Sequence, residues 1–175
     1  MSLRVGVCAT LGDGFFEEAR SRLIWASSTT DAYKDLGFEV SLIGNASNTK
    51  IPYTKSPEWV TNELVNFYGV GKLKLLPLFN PDKYYTKSQD VYIYNYSFPK
   101  LVLPYIDLLH SRDPRALQLA LSHQKKVIFE DHDEDVQVES RKLICSIISN
   151  DNFKLIVCIT KKNKRNISKH GSSFT

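Results

Sequence analysis

The sequence predicts one α/β domain with a mostly parallel sheet, because strand-like and helix-like segments alternate along it. Arg4 to Thr10 is a short β-rich run that ends before Gly12-Asp13-Gly14. Ser21 to Leu36 carries apolar residues at helical spacing and stops at Gly37, and Glu39 to Gly44 is a second strand. Parallel strands need such a crossover, so this β-α-β unit predicts a Rossmann-like three-layer α/β/α domain.

The remainder of the chain continues the alternation, for a total of about six strands. Apolar or β-prone runs predict the further strands Leu73 to Phe79, Asp90 to Tyr96, Lys126 to Glu130 and Phe153 to Thr160. Helical spacing and Pro starts predict helices over 56–67, 114–123, 139–150 and 161–170, with a short or interrupted helix over 101–109 around Pro104. No internal repeat or linker interrupts this order, so residues 1–175 are expected to form a single domain.

Composition excludes several classes of protein. With 42% hydrophobic and 24% charged residues, the chain is neither disordered nor fibrous. Three cysteines without a CxxC spacing predict neither a disulfide framework nor a zinc site. Apolar stretches such as Leu73 to Phe79 are far shorter than the roughly 18 residues of a membrane span. The start of the chain has no signal-peptide pattern, so we expect a cytoplasmic protein.

Basic residues concentrate at Lys161 to Arg165 in a chain whose net charge is +4. This run has no interleaved aromatic residues of the kind that stack on bases, so no nucleic-acid partner is expected. A basic run also suits an anionic lipid surface, so the inner membrane surface is a candidate partner for peripheral contact. A solvated helix start explains the same residues.

The loop Gly12-Asp13-Gly14 is the first candidate site, because ligands bind beyond the carboxyl ends of parallel strands. Its glycines would let backbone N–H groups approach an anion or a sugar. Glu17 stands where a dinucleotide fingerprint requires its third glycine, so NAD is not predicted and no cofactor is expected. A tight turn without a ligand is the alternative.

An acidic segment, residues 130–135, follows another buried strand and is the second candidate site. If it stays extended, Glu130, His132 and Glu134 face one side, and Asp131, Asp133 and Asp135 the other. His132 would then serve as acid, base or hydrogen-bond donor toward a hydroxyl substrate. Asp131 and Asp133 also match a short DxD metal pattern. A solvated acidic loop is the alternative.

Thr160, followed by Lys161 and Lys162, is the third candidate, because a strand leads there into a helix start that favours phosphate. A capping threonine explains the same residues. Tyr92, Tyr94 and Tyr96 alternate along a predicted strand, and we expect them to cover one face of the sheet rather than to bind sugar.

Five segments in this order resemble the family 4 glycosyltransferases of the GT-B class. They are RVGVCAT-LGDG, KDLGFEVSLIG, QDVYIYNYS, VIFEDHDED and FKLIVCITKKNKRNISKHG. The family's glycine loop after the first strand is similar to Gly12 and Gly14, its G-x-E/D-V-x-L strand to Gly37 to Leu42, and its strand-end histidine to His132.

The resemblance implies one half of a GT-B fold, the acceptor-side N-terminal domain, and retaining transfer of a sugar from a nucleotide sugar to a hydroxyl acceptor without a metal. The donor would be held mainly by a C-terminal domain that we expect to be missing, so this chain is expected to be inactive alone. Its catalytic residue would be His132. Substrate contacts are expected from Gly12, Asp13, Gly14, Asp131 and Thr160.

Two other functions remain open on the sequence. A GT-A glycosyltransferase would use a metal at Asp131 and Asp133. A non-enzymatic α/β binding or regulatory module would need no donor site at all.

Overall fold

The fold is an α/β sandwich around a parallel sheet. The computed structural model describes residues 2–11, 21–45, 62, 66, 69–71, 73–78, 89–131 and 138–158. Within these residues six strands form one sheet in the order β3-β2-β1-β4-β5-β6, and every neighbouring pair is parallel. The strands are β1 (Arg4–Cys8), β2 (Glu39–Asn45), β3 (Lys74–Leu78), β4 (Leu108–Ser111), β5 (Lys126–Asp131) and β6 (Phe153–Cys158). The predicted Rossmann-like three-layer domain is confirmed.

Helices cover both faces of this sheet. They are α1 (Ser21–Asp35), α2 (Gln89–Tyr92), which continues into a π-helix (Ile93–Val102) and a 3₁₀ turn (Leu103–Tyr105), α3 (Pro114–Ser122) and α4 (Val138–Ile148). The predicted stop of α1 is confirmed, because Gly37 takes a φ of +84° and its N–H donates to the Lys34 carbonyl at 2.9 Å. In the described part of the chain, no helix has the length and apolar character to cross a membrane.

Side-chain alternation along the strands produces two apolar cores, one on each face of the sheet. On the first face, strand residues such as Val7 and Leu42 pack with Ala26 of α1. On the second, residues such as Leu109 and Phe129 pack with the π-helix, α3 and α4. Gly6 lies so close to this second core that a Cβ would stand 2.7 Å from Ile43 Cδ1, so a larger residue there would force Ile43 to shift.

The predicted strand Asp90 to Tyr96 is wrong, because this segment is helical. Its three tyrosines do not share one face of the sheet, since Tyr94 packs against the second core and Tyr96 is exposed. Tyr92 and Tyr96 instead lie one turn apart with ring centroids separated by 5.0 Å. The buried positions Ile93, Phe98 and Val102 recur every five and four residues, as the wide π-helix requires. That period matches neither the strand template nor the α-helix template, so β-propensity alone misled the prediction.

The fourth strand is Leu108–Ser111, in and just beyond the segment predicted as a short or interrupted helix. The helical prediction holds as far as the 3₁₀ turn around Pro104 and fails beyond it. All four residues of β4 are buried, since it pairs with β1 on one side and β5 on the other. Tertiary pairing therefore decides the structure of a segment whose sequence shows no strand pattern.

The other predictions of position agree with the structure to within two residues where it describes them. Helix α3 begins at the predicted Asp113-Pro114, and Asn62 and Asn66 are helical inside the predicted 56–67 helix. The predicted helix over 161–170 lies outside the described residues.

Candidate functional site

The candidate site is the carboxyl edge of the sheet where β1 and β4 adjoin. Connections leave this point in opposite directions, since β2 and β3 extend the sheet on one side and β5 and β6 on the other. Such a switch point opens a crevice in which parallel α/β proteins bind ligands. Buried polar side chains gather at this edge: Asn45, His110, Ser111, Asp113, Glu130 and Asp131. Because burying polar groups is costly, their concentration marks the edge as a site.

Asp113 is the centre of a group that we name the switch-point cluster, formed with Cys8, Leu11, Tyr94 and Ser111. Its Oδ1 accepts from the backbone N–H groups of Arg115 at 3.0 Å and Ala116 at 3.3 Å, which caps α3. Its Oδ2 accepts from the Leu11 N–H at 3.3 Å and from the Tyr94 hydroxyl. One carboxylate thus joins the chain after β1, the π-helix and the start of α3.

The Ser111 hydroxyl holds the same cluster together from the end of β4. It accepts from the Asp113 N–H at 3.0 Å and lies 3.2 Å from the Cys8 sulfur. It also donates to the Ala9 carbonyl at 3.4 Å. These contacts link the ends of β1 and β4, so the backbone of both strand ends is fixed by one buried serine.

Tyr94 remains a hydrogen-bond donor at neutral pH. Burial, together with the nearby Asp113 carboxylate, raises the pKa of its phenol above the ordinary range. The Arg115 guanidinium lies 4.6 Å from the centre of the Tyr94 ring. Both residues also line an open groove of about 490 Å³ between the π-helix and α3, with Val91, Asn95, Gln118, Leu119 and Ser122. The cluster therefore borders an accessible surface.

A second polar group, the α1-face cluster, lies on the opposite face of the sheet and consists of Trp25, Tyr33, His110, Arg112 and Glu130. Arg112 donates to Glu130 Oε1 at 3.1 Å, and its guanidinium carbon lies 4.0 Å from the centre of the Trp25 ring. The Tyr33 hydroxyl lies 3.1 Å from His110 Nδ1, and Trp25 meets the His110 ring edge to face. Side chains of α1, of β4 and the residue after it, and of β5 thus meet in one partly buried network.

Burial favours the neutral form of His110. Burial lowers its pKa, while Glu130 raises it by a smaller amount and Arg112 lowers it further. Glu130 is already paired with Arg112, and this pairing limits how far the Glu130 charge can raise the pKa of His110. Burial and Glu130 raise the pKa of Tyr33, so its hydroxyl keeps its proton beside His110 Nδ1. His110 Nε2 is 3.4 Å from Glu130 Oε2 and makes no hydrogen bond to any described residue.

Of the residues predicted for the site, Asp131 is the one that the structure describes. It ends β5 with an exposed fraction of 4%, and strand alternation directs it away from Glu130, toward the face covered by α3 and α4. Gly12, Asp13, Gly14, His132 and Thr160 lie outside the described residues. Gly12 directly follows Leu11 in the chain, and His132 directly follows Asp131. Leu11 and Asp131 both lie at the carboxyl edge of the sheet.

The segment His110-Ser111-Arg112-Asp113 carries most of the polar contacts at this edge, and sequence reasoning missed it as a site. The cause is the misplaced fourth strand, since the sequence predicts that this strand ends at Tyr96, whereas in the structure it ends at Ser111. A signal was present. Asp113-Pro114 starts a helix, and in a β-α alternation the residues just before a helix start belong to a strand end.

No protein-family model and no curated protein matches this chain. Within the described ranges, no group of three or more His, Cys, Asp or Glu side chains is placed to hold a metal ion, and Asp133 of the DxD pattern lies outside those ranges. Any function must therefore be argued from the carboxyl edge itself.

Proposed function

We propose that this chain is the acceptor-side half of a GT-B glycosyltransferase, contributing to retaining transfer of a sugar from a nucleotide sugar to a hydroxyl acceptor. The observation that carries the proposal is the concentration of buried polar side chains around Asp113 and Asp131, at the carboxyl ends of β1, β4 and β5. The parallel order β3-β2-β1-β4-β5-β6 provides the switch point at which such a domain would bind a ligand.

Each residue proposed for the reaction ends or follows a strand whose carboxyl end lies at this edge. Gly12, Asp13 and Gly14 come after β1, Asp131 and His132 at the end of β5, and Thr160 after β6. In this proposal the glycine loop and Asp131 contact the acceptor, and His132 exchanges a proton or a hydrogen bond with its hydroxyl group. The donor is held mainly by a second domain, so the chain alone turns over little or no substrate.

The same proposal includes a cytoplasmic location. Peripheral contact with the inner membrane surface would come from the basic run Lys161 to Arg165, whose charge suits anionic headgroups.

The proposal is tested first by acceptor binding. The labelled chain is titrated with methyl α-D-mannopyranoside, methyl β-D-glucopyranoside and methyl β-D-galactopyranoside while amide NMR shifts are followed. We expect shifts concentrated at Leu11, Ser111 to Asp113 and Asp131 for at least one glycoside, because those backbone groups lie at the carboxyl edge. Shifts spread over the amino edge, or none, would count against the proposal.

Turnover is tested with UDP-glucose and GDP-mannose, for the chain alone and mixed with a candidate donor-binding domain. We expect turnover in the mixture, reduced by about 100-fold or more in His132→Ala, as for loss of a general acid or base. His123→Ala is the matched control, since His123 is exposed at the end of α3 away from this edge, and it should retain full activity. Mn²⁺-dependent turnover by the chain alone would instead favour a GT-A enzyme using Asp131 and Asp133.

A further inference from the structure

A groove of about 490 Å³ lies between the π-helix and α3, beside the switch-point cluster. Small-molecule sites typically have volumes of roughly 300–1,000 Å³. Each wall of the groove is a stripe of side chains spaced three and four residues apart, which places them on one face of a helix. One wall consists of Val91, Tyr94 and Asn95, and the other of Arg115, Gln118, Leu119 and Ser122. The groove therefore has the size and the two-sided shape of a ligand site.

The uncharged groups of the lining match a sugar ring. Asn95 and Gln118 carry amides, which both donate and accept hydrogen bonds, as the hydroxyl groups of a sugar do. The Ser122 hydroxyl donates to the Leu119 carbonyl at 2.7 Å, so its oxygen remains an acceptor. Val91 and Leu119 add apolar surface for the C–H groups of the ring. A polyhydroxylated ring uses this mixture of groups better than a wholly apolar ligand would.

Arg115 adds a positive charge, and it is the one charged residue among the described residues that line the groove. Its guanidinium presents a planar fork of N–H donors, which matches a carboxylate or a phosphate group. Asp113 lies beside this wall, but it is 5% exposed and both of its oxygens already accept from protein groups. The groove therefore favours a ligand that carries a negative charge.

We propose that this groove is a binding site for an acidic sugar, a uronate or a sugar phosphate, and that Arg115 holds the anionic group. Asn95 and Gln118 bond the ring hydroxyl groups from opposite walls. The inference goes beyond the proposed function, which concerns the carboxyl edge of the sheet, and it does not rest on that function.

The wall that carries Tyr94 is fixed by buried contacts. The Tyr94 hydroxyl donates to the Asp113 carboxylate, and its ring packs against the second core. The Arg115 guanidinium carbon lies 4.6 Å from the centre of that ring, which restricts a long side chain. Tyr94 and Asn95 also belong to a π-helix of ten residues, and π-helical turns are frequent at functional sites. The site is thus largely formed before a ligand arrives, which lowers the entropic cost of binding.

The binding test follows amide NMR shifts of the full labelled chain at constant ionic strength. The two acidic sugars are methyl β-D-glucuronide and glucose 6-phosphate, and methyl β-D-glucopyranoside is their neutral counterpart. We expect at least one acidic sugar to shift the backbone and side-chain amides of Asn95 and Gln118. Its Kd should be about tenfold or more below that of the neutral glycoside, as for one charge-assisted contact. The acidic sugar that binds identifies the anionic group.

Two results of this titration would overturn the proposal: no shift in the groove with either acidic sugar, or equal affinities for acidic and neutral sugars. Acetate and inorganic phosphate supply the anionic groups alone, and each should bind about tenfold more weakly than the sugar that carries its group. Equal affinity would show anion binding without sugar recognition and would also overturn the proposal. Shifts at Leu11 and Asp131 report on the carboxyl edge, so failure of the proposed function is seen separately.

Substitutions at exposed positions assign the contacts. Arg115→Gln removes the charge and should raise the Kd for the acidic sugar about tenfold, while the Kd for the neutral glycoside changes by less than about threefold. Gln118→Leu keeps the volume but removes the amide, so the Kd for both sugars should rise about threefold or more.

Lys126→Gln is the matched control, because it removes the same charge from an exposed position at the amino edge, where Lys126 begins β5. Both Kd values should stay within about twofold of the wild type, since salt screens a charge at that distance. A similar rise in Kd in Arg115→Gln and Lys126→Gln would assign the effect to net charge and would overturn the role of Arg115.

Discussion

The two edges of the sheet use charged residues in opposite ways. At the amino edge, Arg4 donates to Asp107 at 2.7 Å and Lys74 to Glu39 at 2.7 Å, and all four side chains are more than a third exposed. At the carboxyl edge, Arg112 and Glu130 pair at 3.1 Å with exposed fractions of 11% and 8%. The distances are similar, but the surroundings differ.

This difference indicates where the molecule accepts an energetic cost. An exposed pair keeps most of its hydration and contributes little to stability. A buried pair loses hydration, and apolar residues of similar volume are often at least as stabilising. Buried charge at the carboxyl edge is thus poorly explained by stability, and a site at that edge accounts for it better. The following predictions test the contrast, starting with the largest effect.

Breaking the buried pair of Arg112 and Glu130 should lower the free energy of unfolding more than any other change considered below. In Glu130→Gln the side-chain shape is kept, but Arg112 loses its carboxylate partner while remaining 11% exposed. We expect the free energy of unfolding to fall by about 3 kcal/mol, measured by urea denaturation. The double variant Glu130→Gln, Arg112→Met also removes the guanidinium charge that faced Glu130 and should recover part of this loss. A loss below about 1 kcal/mol would mean that this buried pair contributes no more to stability than an exposed pair does.

The neutral His110 predicts a smaller, pH-dependent effect at the same edge. Burial lowers the pKa of this imidazole below the ordinary value of about 6.5, so the unfolded chain binds the proton more readily than the folded chain. The stability that it contributes is therefore complete above about pH 6.5 and is lost as the pH falls from there through the folded pKa.

The measurement is urea denaturation between pH 7.5 and pH 5, in wild type and in His110→Gln. We expect the wild type to lose more stability over this range than the variant, because glutamine does not titrate. Tyr33, Arg112 and Glu130 face the imidazole and are unchanged in the variant. Parallel pH profiles for the two proteins would contradict a neutral, buried His110.

At the amino edge, the exposed pair Arg4 and Asp107 predicts a still smaller effect at acid pH. Hydrogen bonds from Arg4 lower the pKa of Asp107 to about 2. A carboxylate with a lowered pKa contributes stability above its ordinary value of about 3.9, and that stability is lost as the pH falls toward 2. Asp107→Asn should therefore melt below the wild type at pH 6, with the gap narrowing toward pH 2.5 and in 0.5 M salt. A gap independent of pH would contradict this account.

The sequence predicts much more of the fold than of the site. Both outcomes depend on whether a strand shows an apolar pattern in the sequence. Five strands are found where apolar runs of normal length predict them, because a parallel sheet buries both faces. Strand β4 has four residues, and two of them are His110 and Ser111. These polar residues interrupt the apolar pattern by which a buried strand is predicted. The same residues that make this strand end a candidate site therefore prevent its prediction from the sequence.

Contacts between distant residues are the part that the sequence could not supply. Asp113 is predicted as a helix start from Asp-Pro alone, a local rule. Its bond to Leu11, which is 102 residues away in the chain, depends on β1 and β4 being neighbours. Likewise, the pairing of Arg112 with Glu130 depends on β4 and β5 ending together. With the fourth strand misplaced, neither contact could be inferred.

The exposed pair of Glu39 and Lys74 should contribute least to the free energy of unfolding among the pairs compared. It joins the starts of β2 and β3, and its side chains are 46% and 55% exposed, so water screens the attraction and ordering two long side chains offsets it. Glu39→Gln should therefore lower the free energy of unfolding by less than about 0.5 kcal/mol in urea denaturation. A loss close to that of Glu130→Gln would mean that burial is not what distinguishes the two edges, and the case for a site at the carboxyl edge would lose its energetic support.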